Sequence, residues 1–540
     1  MARNVVDKRM TVLRYARPRR VRKALAAVFR FRHRCLLGLS LAGCIALSPG
    51  LLFAQESLAE LIRRGSLAVA IERIEAGADV NLPEGDGTTP LHWAVYRLDE
   101  HLVDVLLAAG ARPDSTNDYG SSPLAEAINA ANPRLVTRLL EAGADVESPN
   151  LDGQTVLMLA ARVGSAPIAR TLLERGADVD ALERWRGQTA LMWAADASAG
   201  DVVALLVDAG ADVTVRASAN DWSAQITSEP RAQYRPTGGL TALLYAARSG
   251  CTACIDPILD AGADIDRPNP DGVTALMIAL DNFRFETAQR LLARGANPHV
   301  WDWWGRTALY VTADVSRYNR RRSDPLAQIG VSALDIATQL LDAGVEVDPQ
   351  LNMHRPGRGG NSGRFVDDLL TTGATPLLRA AISHDAPFVE LLLLHGARVD
   401  LPNVMGVTPL MAAAGMGVSP RDRRIDTSGD VEQRVIATLE LLLGAGADIN
   451  ARIVSEYSKS ARIGRPSSMT EREGQTALFG AVKWAWADVV AWLLAHGADP
   501  GSADARGLTP LDAALGRTGG RDNTVSEPIA ELLRARLAAR

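Results

Sequence analysis

Apolar positions recur along this chain with two nested periods. Within short windows they fall three and four apart, as on one face of a helix, and the window itself returns about every 33 residues. The stretch Gly87–Asp114, GTTPLHWAVYRLDEHLVDVLLAAGARPD, shows the unit. Its pattern predicts a turn, a short helix, a tight loop, a second helix, then Gly-Ala and another turn. Thr89 is placed to cap the first helix with its hydroxyl, and Pro90 falls at the first helical position, where its missing N–H costs nothing. Leu91, Ala94 and Val95 line one face of that helix; Leu102, Val103, Leu106 and Leu107 line one face of the second. Gly110 supplies the positive-φ stop. Two helices this short cannot bury their own apolar faces, so the unit needs copies of itself stacked on both sides.

The copies are present. The leucine of a Thr-Pro/Ala-Leu box returns at Leu91, Leu124, Leu157, Leu191, Leu243, Leu276, Leu309, Leu377, Leu410, Leu478 and Leu511. On these residues the chain resembles the ankyrin-repeat family, whose period is 33 and whose signature is T-P-L-H-x-A. Thr89–Ala94 matches that signature in full, and Thr408-Pro409-Leu410 and Thr509-Pro510-Leu511 match its core. Looser copies read TALMWAA (Thr189–Ala195), TALLYAA (Thr241–Ala247) and TALMIA (Thr274–Ala279). Repeats of the GGLTALLYAARSGCTAC and TTGATPLLRAA types are similar to those of secreted bacterial ankyrin proteins, a subset that implies no particular activity.

The resemblance implies an all-α ankyrin-repeat solenoid over about residues 57–540. It would comprise about twelve helix-turn-helix units joined by β-hairpin-like turns. Residues 57–84 form a degenerate opening pair, with Leu58, Leu61 and Ile62 inward; residues 525–540 supply a closing helix, with Ile529, Leu532 and Leu533 inward.

Breaks in the period locate insertions. Three fall between repeats, at 214–237, 349–371 and 451–472, where hairpin fingers project. Two fall inside a repeat, at 315–331 and 418–433, between its paired helices. Regular repeats fill 85–213, 238–348, 372–450 and 473–540 around them. Arg, Gly and Ser enrich these inserts, as in Ser316–Arg322 (SRYNRRR) and His354–Arg364 (HRPGRGGNSGR). They read either as solvated loops or as basic elements that contact an acidic partner or fold back on the array.

Residues 1–54 differ from the rest. The first 34 hold 12 of the 58 Lys+Arg and a single acid, Asp7, and an uncharged apolar run follows from Cys35 to Ala54. A basic segment, an apolar core broken by Pro49-Gly50 and a small residue before Gln55 read as a secretory signal peptide spanning 1–54. Three rivals stand beside cleavage at Ala54: a lipoprotein box at Leu41-Ala42-Gly43-Cys44 that would leave Cys44 lipidated, an uncleaved membrane anchor, and a twin-arginine route through Arg19-Arg20. Each places the body on the far side of the membrane, periplasmic, secreted, or anchored facing the periplasm.

Removal of residues 1–54 leaves 46 Lys+Arg against 62 Asp+Glu, a net charge near −16 in place of −5. A surface that acidic repels phosphate backbones, which argues against nucleic acid as the main partner.

Chemistry-bearing constellations are scarce. Cys251-Thr252-Ala253-Cys254 falls where a second helix begins, a spacing that allows a disulfide and lowers the first thiol's pKa. It reads as a structural disulfide in an oxidising compartment, with redox or stress-protective cycling as the alternative. Pro257 sits inside the same helix and predicts a late start or a kink there. The histidines, among them His92, His101, His299, His384, His395 and His496, are scattered without ligand or triad spacing. No phosphate loop, nucleophile elbow or zinc-hydrolase helix appears. The expectation is a protein without catalytic residues, metal, cofactor or small-molecule substrate.

Its expected partner is another protein, bound on the concave hairpin and first-helix surface; a secreted factor acting on another cell is the further alternative. The family's variable, partner-facing positions map to Tyr96, Arg97, Tyr119, Trp185, Arg186, Trp303, Trp304, Arg306, Lys483 and Trp484. Trp and Arg at such positions bury large area and make directional contacts together. The segment Trp301–Arg306 carries too many Trp for an exposed turn unless a partner, or the insert at 214–237 or 315–331, covers it. Trp93, Trp193 and Tyr245 follow the signature histidine position and read as packing.

Overall fold

The structure is a computed structural model describing residues 56–220, 237–316, 330–352, 372–416, 430–454, 472–517 and 525–539. The chain divides into Met1–Glu56 and Ser57–Arg540. The signal-peptide segment 1–54 lies outside the described residues, as do most of the five expected inserts. Among the described residues no helix is long and apolar enough to cross a membrane.

Ser57–Arg540 is a stack of helix pairs. The opening pair, Leu58–Arg64 and Leu67–Glu75, is followed by Pro90–Tyr96 with Glu100–Ala108, and the pattern continues to Pro510–Ala514 with Glu527–Ala538. Twelve pairs are described. Each first helix packs on the first helices of the neighbouring pairs, and each second helix likewise, so the apolar core is one continuous seam from Leu58 to Leu533.

Local chemistry sets each helix start. Thr155, Thr189, Thr241, Thr274, Thr307, Thr375 and Thr408 all stand at N-cap and accept a hydrogen bond from the backbone N–H three residues on. At Thr89 the cap is closed by His92, whose Nδ1 lies 2.8 Å from the Thr89 hydroxyl and 3.2 Å from its backbone N.

The described sheet brackets most of the 214–237 stretch, two residues per strand, with Ala219 opposite Gly238 and Asn220 opposite Thr237. Helix Val431–Gly444 begins inside the span expected to be insert 418–433 and is longer than its counterparts. Pro257 causes no late start. Helix Thr252–Asp260 begins nine residues after Leu243, as Glu100–Ala108 begins nine after Leu91, and runs through the proline unbroken. Its flanking second helices, Gly200–Asp208 and Phe285–Ala293, pack against it on both sides and hold the helix where the lost hydrogen bond would otherwise open it.

Candidate partner-binding surface

Between pairs the chain makes a tight finger. An Asn or Asp at its base folds back on its own backbone: the Asn150 carboxamide oxygen accepts from Asp152 and Gln154, and Asp302 Oδ1 accepts from Trp304 and Arg306. Fingers are then zipped to one another. The Asp118 N–H donates to Asp86 O at 2.9 Å, Arg184 to Asp152 O at 2.8 Å and Trp303 to Asp271 O at 3.0 Å. This close approach is why the finger glycines cannot carry a side chain. A Cβ on Gly87, at φ +80°, would lie 3.1 Å from the Asn117 Cα.

The finger at 183–187 is one residue longer than its neighbours, which accounts for the 34-residue step from Leu157 to Leu191. Buried Glu183 takes the Asn/Asp place, and its longer arm reaches three N–H groups: Trp185 at 2.6 Å, Arg186 at 2.6 Å and Gln188 at 3.2 Å. The enlarged turn is therefore pinned as firmly as the short ones.

These rigid fingers hold large side chains in water. Tyr119 (73%), Leu151 (70%) and Trp185 (77%) occupy three consecutive fingertips, and Arg184 and Arg186 flank Trp185 in solvent. Tyr96 is exposed at the end of its first helix, edge-on to Trp93 at 5.8 Å. Trp301 and Trp303 are exposed on a later finger. Inserts 214–237 and 315–331, the candidate covers for that finger, lie largely outside the described residues.

Three of the sequence-predicted positions are not surface. Trp304 is 9% exposed and Arg306 4%, because Arg306 turns inward to Asp302 Oδ2 (2.7 Å) and Asp281 (3.1 Å) and lies against the Trp304 ring. Burial opposes the Arg306 charge, but Asp281 and Asp302 outweigh it and the guanidinium stays firmly protonated. Trp484 is also buried. Its indole N–H donates to Gly415 O at 3.0 Å and its ring stacks on Trp486. Lys483 is half-buried, and exposed Arg97 leans over the Gly65 turn of the opening pair.

Trp93 and Trp193, read from sequence as interior packing, are only half-buried, whereas Tyr245 is buried. An arginine from the preceding first helix lies over each tryptophan, Arg63 at 5.9 Å and Arg162 at 5.6 Å. Leu151 was missed. It stands two residues before its turn glycine, Gly153, as Trp185 and Trp303 stand before Gly187 and Gly305, and that register is the signal that finds it.

Cys251 and Cys254 form a disulfide with Cα atoms 5.3 Å apart, and both residues are buried. Among the described residues no group of three His, Cys, Asp or Glu side chains is gathered as a metal site.

A scaffold of stacked, short helix pairs with zipped fingers defines a class, the all-α repeat solenoids. Within that class the chain belongs to the ankyrin-repeat family. The model described as ankyrin repeats in three copies matches residues 58–150, 124–217 and 224–318, and the single ankyrin repeat matches 473–505. It is similar to a probable E3 ubiquitin-protein ligase of Oryza sativa subsp. japonica, 31% identical over 33% of this chain and 35% of that protein. It is also similar to the mitochondrial disaggregase of Homo sapiens, 31% identical over 32% of this chain and 24% of that protein. The Notch protein of Drosophila melanogaster is 33% identical over 22% of this chain and 4% of its own length. The chain thus spans about a third or less of these relatives. The shared part is repeat scaffold, and ankyrin repeats in general bind other proteins.

Proposed function

We propose that this chain is a non-catalytic protein-binding scaffold working in the bacterial periplasm or outside the cell. The observation that carries the reading is the row Tyr119, Leu151 and Trp185: three large side chains held in water on consecutive fingers, the first zipped to the finger before it and the other two zipped to each other. Pre-organised aromatic side chains lose little entropy on docking, which is what a binding hot spot needs. Export is supported by the basic and apolar leader over 1–54 and by a disulfide in a chain with four cysteines. The buried state of Cys251 and Cys254 weighs against redox cycling, since exchange requires an attacking thiolate to reach a sulfur.

Cross-linking capture in the native envelope tests the scaffold. Partners should be recovered with the wild-type chain and lost from a Tyr119→Ala, Trp185→Ala variant that melts at the wild-type temperature. Unchanged recovery from that variant removes the finger surface from the proposal. Fractionation tests location: recovery in the cytoplasm would rule out export.

A further inference from the structure

The array contains its own comparison for what the surface of its fourth to sixth pairs lacks. In the second pair Trp93 is sandwiched by charge: Arg63 lies over the ring, and the indole N–H donates to Glu84 Oε2 at 2.8 Å. The other Glu84 oxygen faces Arg63 Nε at 3.8 Å. Arginine, indole and carboxylate thus form a closed set.

The fifth pair repeats the first two members without the third. Arg162 lies over Trp193 at 5.6 Å, from the same relative position as Arg63 over Trp93. The finger residue corresponding to Glu84 is Glu183, and its two oxygens are taken by the backbone N–H groups of its own enlarged turn. Among the described residues the Trp193 Nε1 donates to nothing, and Arg162 has only the neutral Asn129 side chain, at 3.0 Å. Arg184 and Arg186 stand exposed beside the same finger with no carboxylate partner among the described residues. Arg186 is near enough to Tyr245, in the next first helix, to act on its hydroxyl, and Arg248 there is already matched by Asp196 at 2.7 Å. Helices Val156–Val163, Ala190–Asp196 and Ala242–Ser249 pack side by side, so these groups share one face.

We propose that this face docks an acidic segment of a partner protein, one of whose carboxylates takes between Arg162 and Trp193 the place that Glu84 takes between Arg63 and Trp93. The inference rests on the scaffold reading and names the partner's chemistry. The Trp193 indole N–H is buried, and the exposed Arg162 over its ring is the side chain whose swing would admit a carboxylate. Arg184 and Arg186 then face neighbouring acids along the segment, and charge-assisted hydrogen bonds supply the specificity.

The test uses the full chain and a fluorescein-labelled polyglutamate peptide of about 20 residues, followed by anisotropy. The first 34 residues carry 12 Lys+Arg against one acid, so the readout is the difference between variants. Arg162→Gln should weaken binding at least tenfold, and Trp193→Phe, which keeps a ring but removes the N–H, at least threefold. Arg63→Gln, whose partner Glu84 already belongs to the chain, should leave it unchanged. Polyglutamine of the same length should not compete. Equal affinity in wild type and Arg162→Gln proteins of matching melting temperature overturns the proposal, as does a thymidine oligonucleotide of equal charge competing more strongly than polyglutamate. If envelope partners are still captured while polyglutamate ignores Arg162, the scaffold stands and the carboxylate site falls. If no partner is captured at all, the scaffold reading itself fails.

Discussion

The His92 Nε2 lies 3.0 Å from the carbonyl oxygen of Ser121, 29 residues along the chain, while Nδ1 accepts from Thr89. One imidazole therefore closes a helix cap in its own repeat and ties it to the next finger. The arrangement requires the neutral ring with its proton on Nε2, because a carbonyl only accepts. Burial lowers the His92 pKa below its usual 6.5, although the Ser121 contact and nearby acids oppose the shift. The unfolded chain then binds the proton first, so the stabilisation is present above pH 6.5 and is lost as pH falls below it. Thermal melts at pH 7.5 and pH 5 should show a drop in the wild type, and a smaller drop in His92→Gln. An equal drop in both proteins places the sensitivity elsewhere.

Arg306 offers a second prediction. With its side chain buried between Asp302 and Asp281, replacement by Met leaves the Asp302 carboxylate buried without its cation and should cost about 3–5 kcal/mol. Adding Asp302→Asn should restore much of that loss. The amide keeps the oxygen that accepts from Trp304 and Arg306, as Asn150 does in its own finger, and removes the stranded charge. Urea unfolding of the wild type and the two variants checks both steps.

The enlarged finger depends on Glu183. Its replacement by Ala should leave three N–H groups to solvent or to nothing and cost about 2–3 kcal/mol, most of it local. Hydrogen exchange at Trp185 and Arg186 should accelerate far more than exchange in the helices of the neighbouring pairs. Uniform acceleration across the array would mean that the finger is not an independent unit.

Ala131 occupies a left-handed turn between paired helices at φ 53°, where the corresponding residues Gly164 and Gly250 avoid any side-chain penalty. Ala131 is exposed, so nothing is lost from the core on substitution. Ala131→Gly should raise stability by up to about 1 kcal/mol, the relief of left-handed strain exceeding the added unfolded-state entropy. A lower melting temperature would contradict this.

Cys251 and Cys254 close a loop of sequence separation 3, for which chain entropy predicts a contribution of about 2 kcal/mol. The double Ser variant should lose about that much and bind envelope partners as the wild type does. Loss of partners at full stability would favour the redox reading instead.

The repeat was legible because its signals are local. Thr at the cap, leucine two residues later and Gly-Ala at the end each act within a few residues, and their 33-residue return imposes stacking. The exposed finger surface was only partly legible. The register located Tyr119 and Trp185 because fingertip exposure follows from sequence position, yet the same register put Arg306 and Trp304 outside. What overrode it was a charge pair: Asp281 lies 25 residues away, and only packing of neighbouring pairs makes it Arg306's partner.

The sequence by itself determined the unit, its number of copies and their order, because helix caps, apolar faces and turn glycines are decided within one repeat. Tertiary structure alone decided which members of equivalent positions remain available. Glu84 completes Trp93 and Arg63, whereas Glu183, in the corresponding finger, is drawn away by one inserted residue and leaves Trp193 and Arg162 open. The physical reason is that a hydrogen-bonding group serves whichever partner comes within reach, and reach is a property of the folded chain.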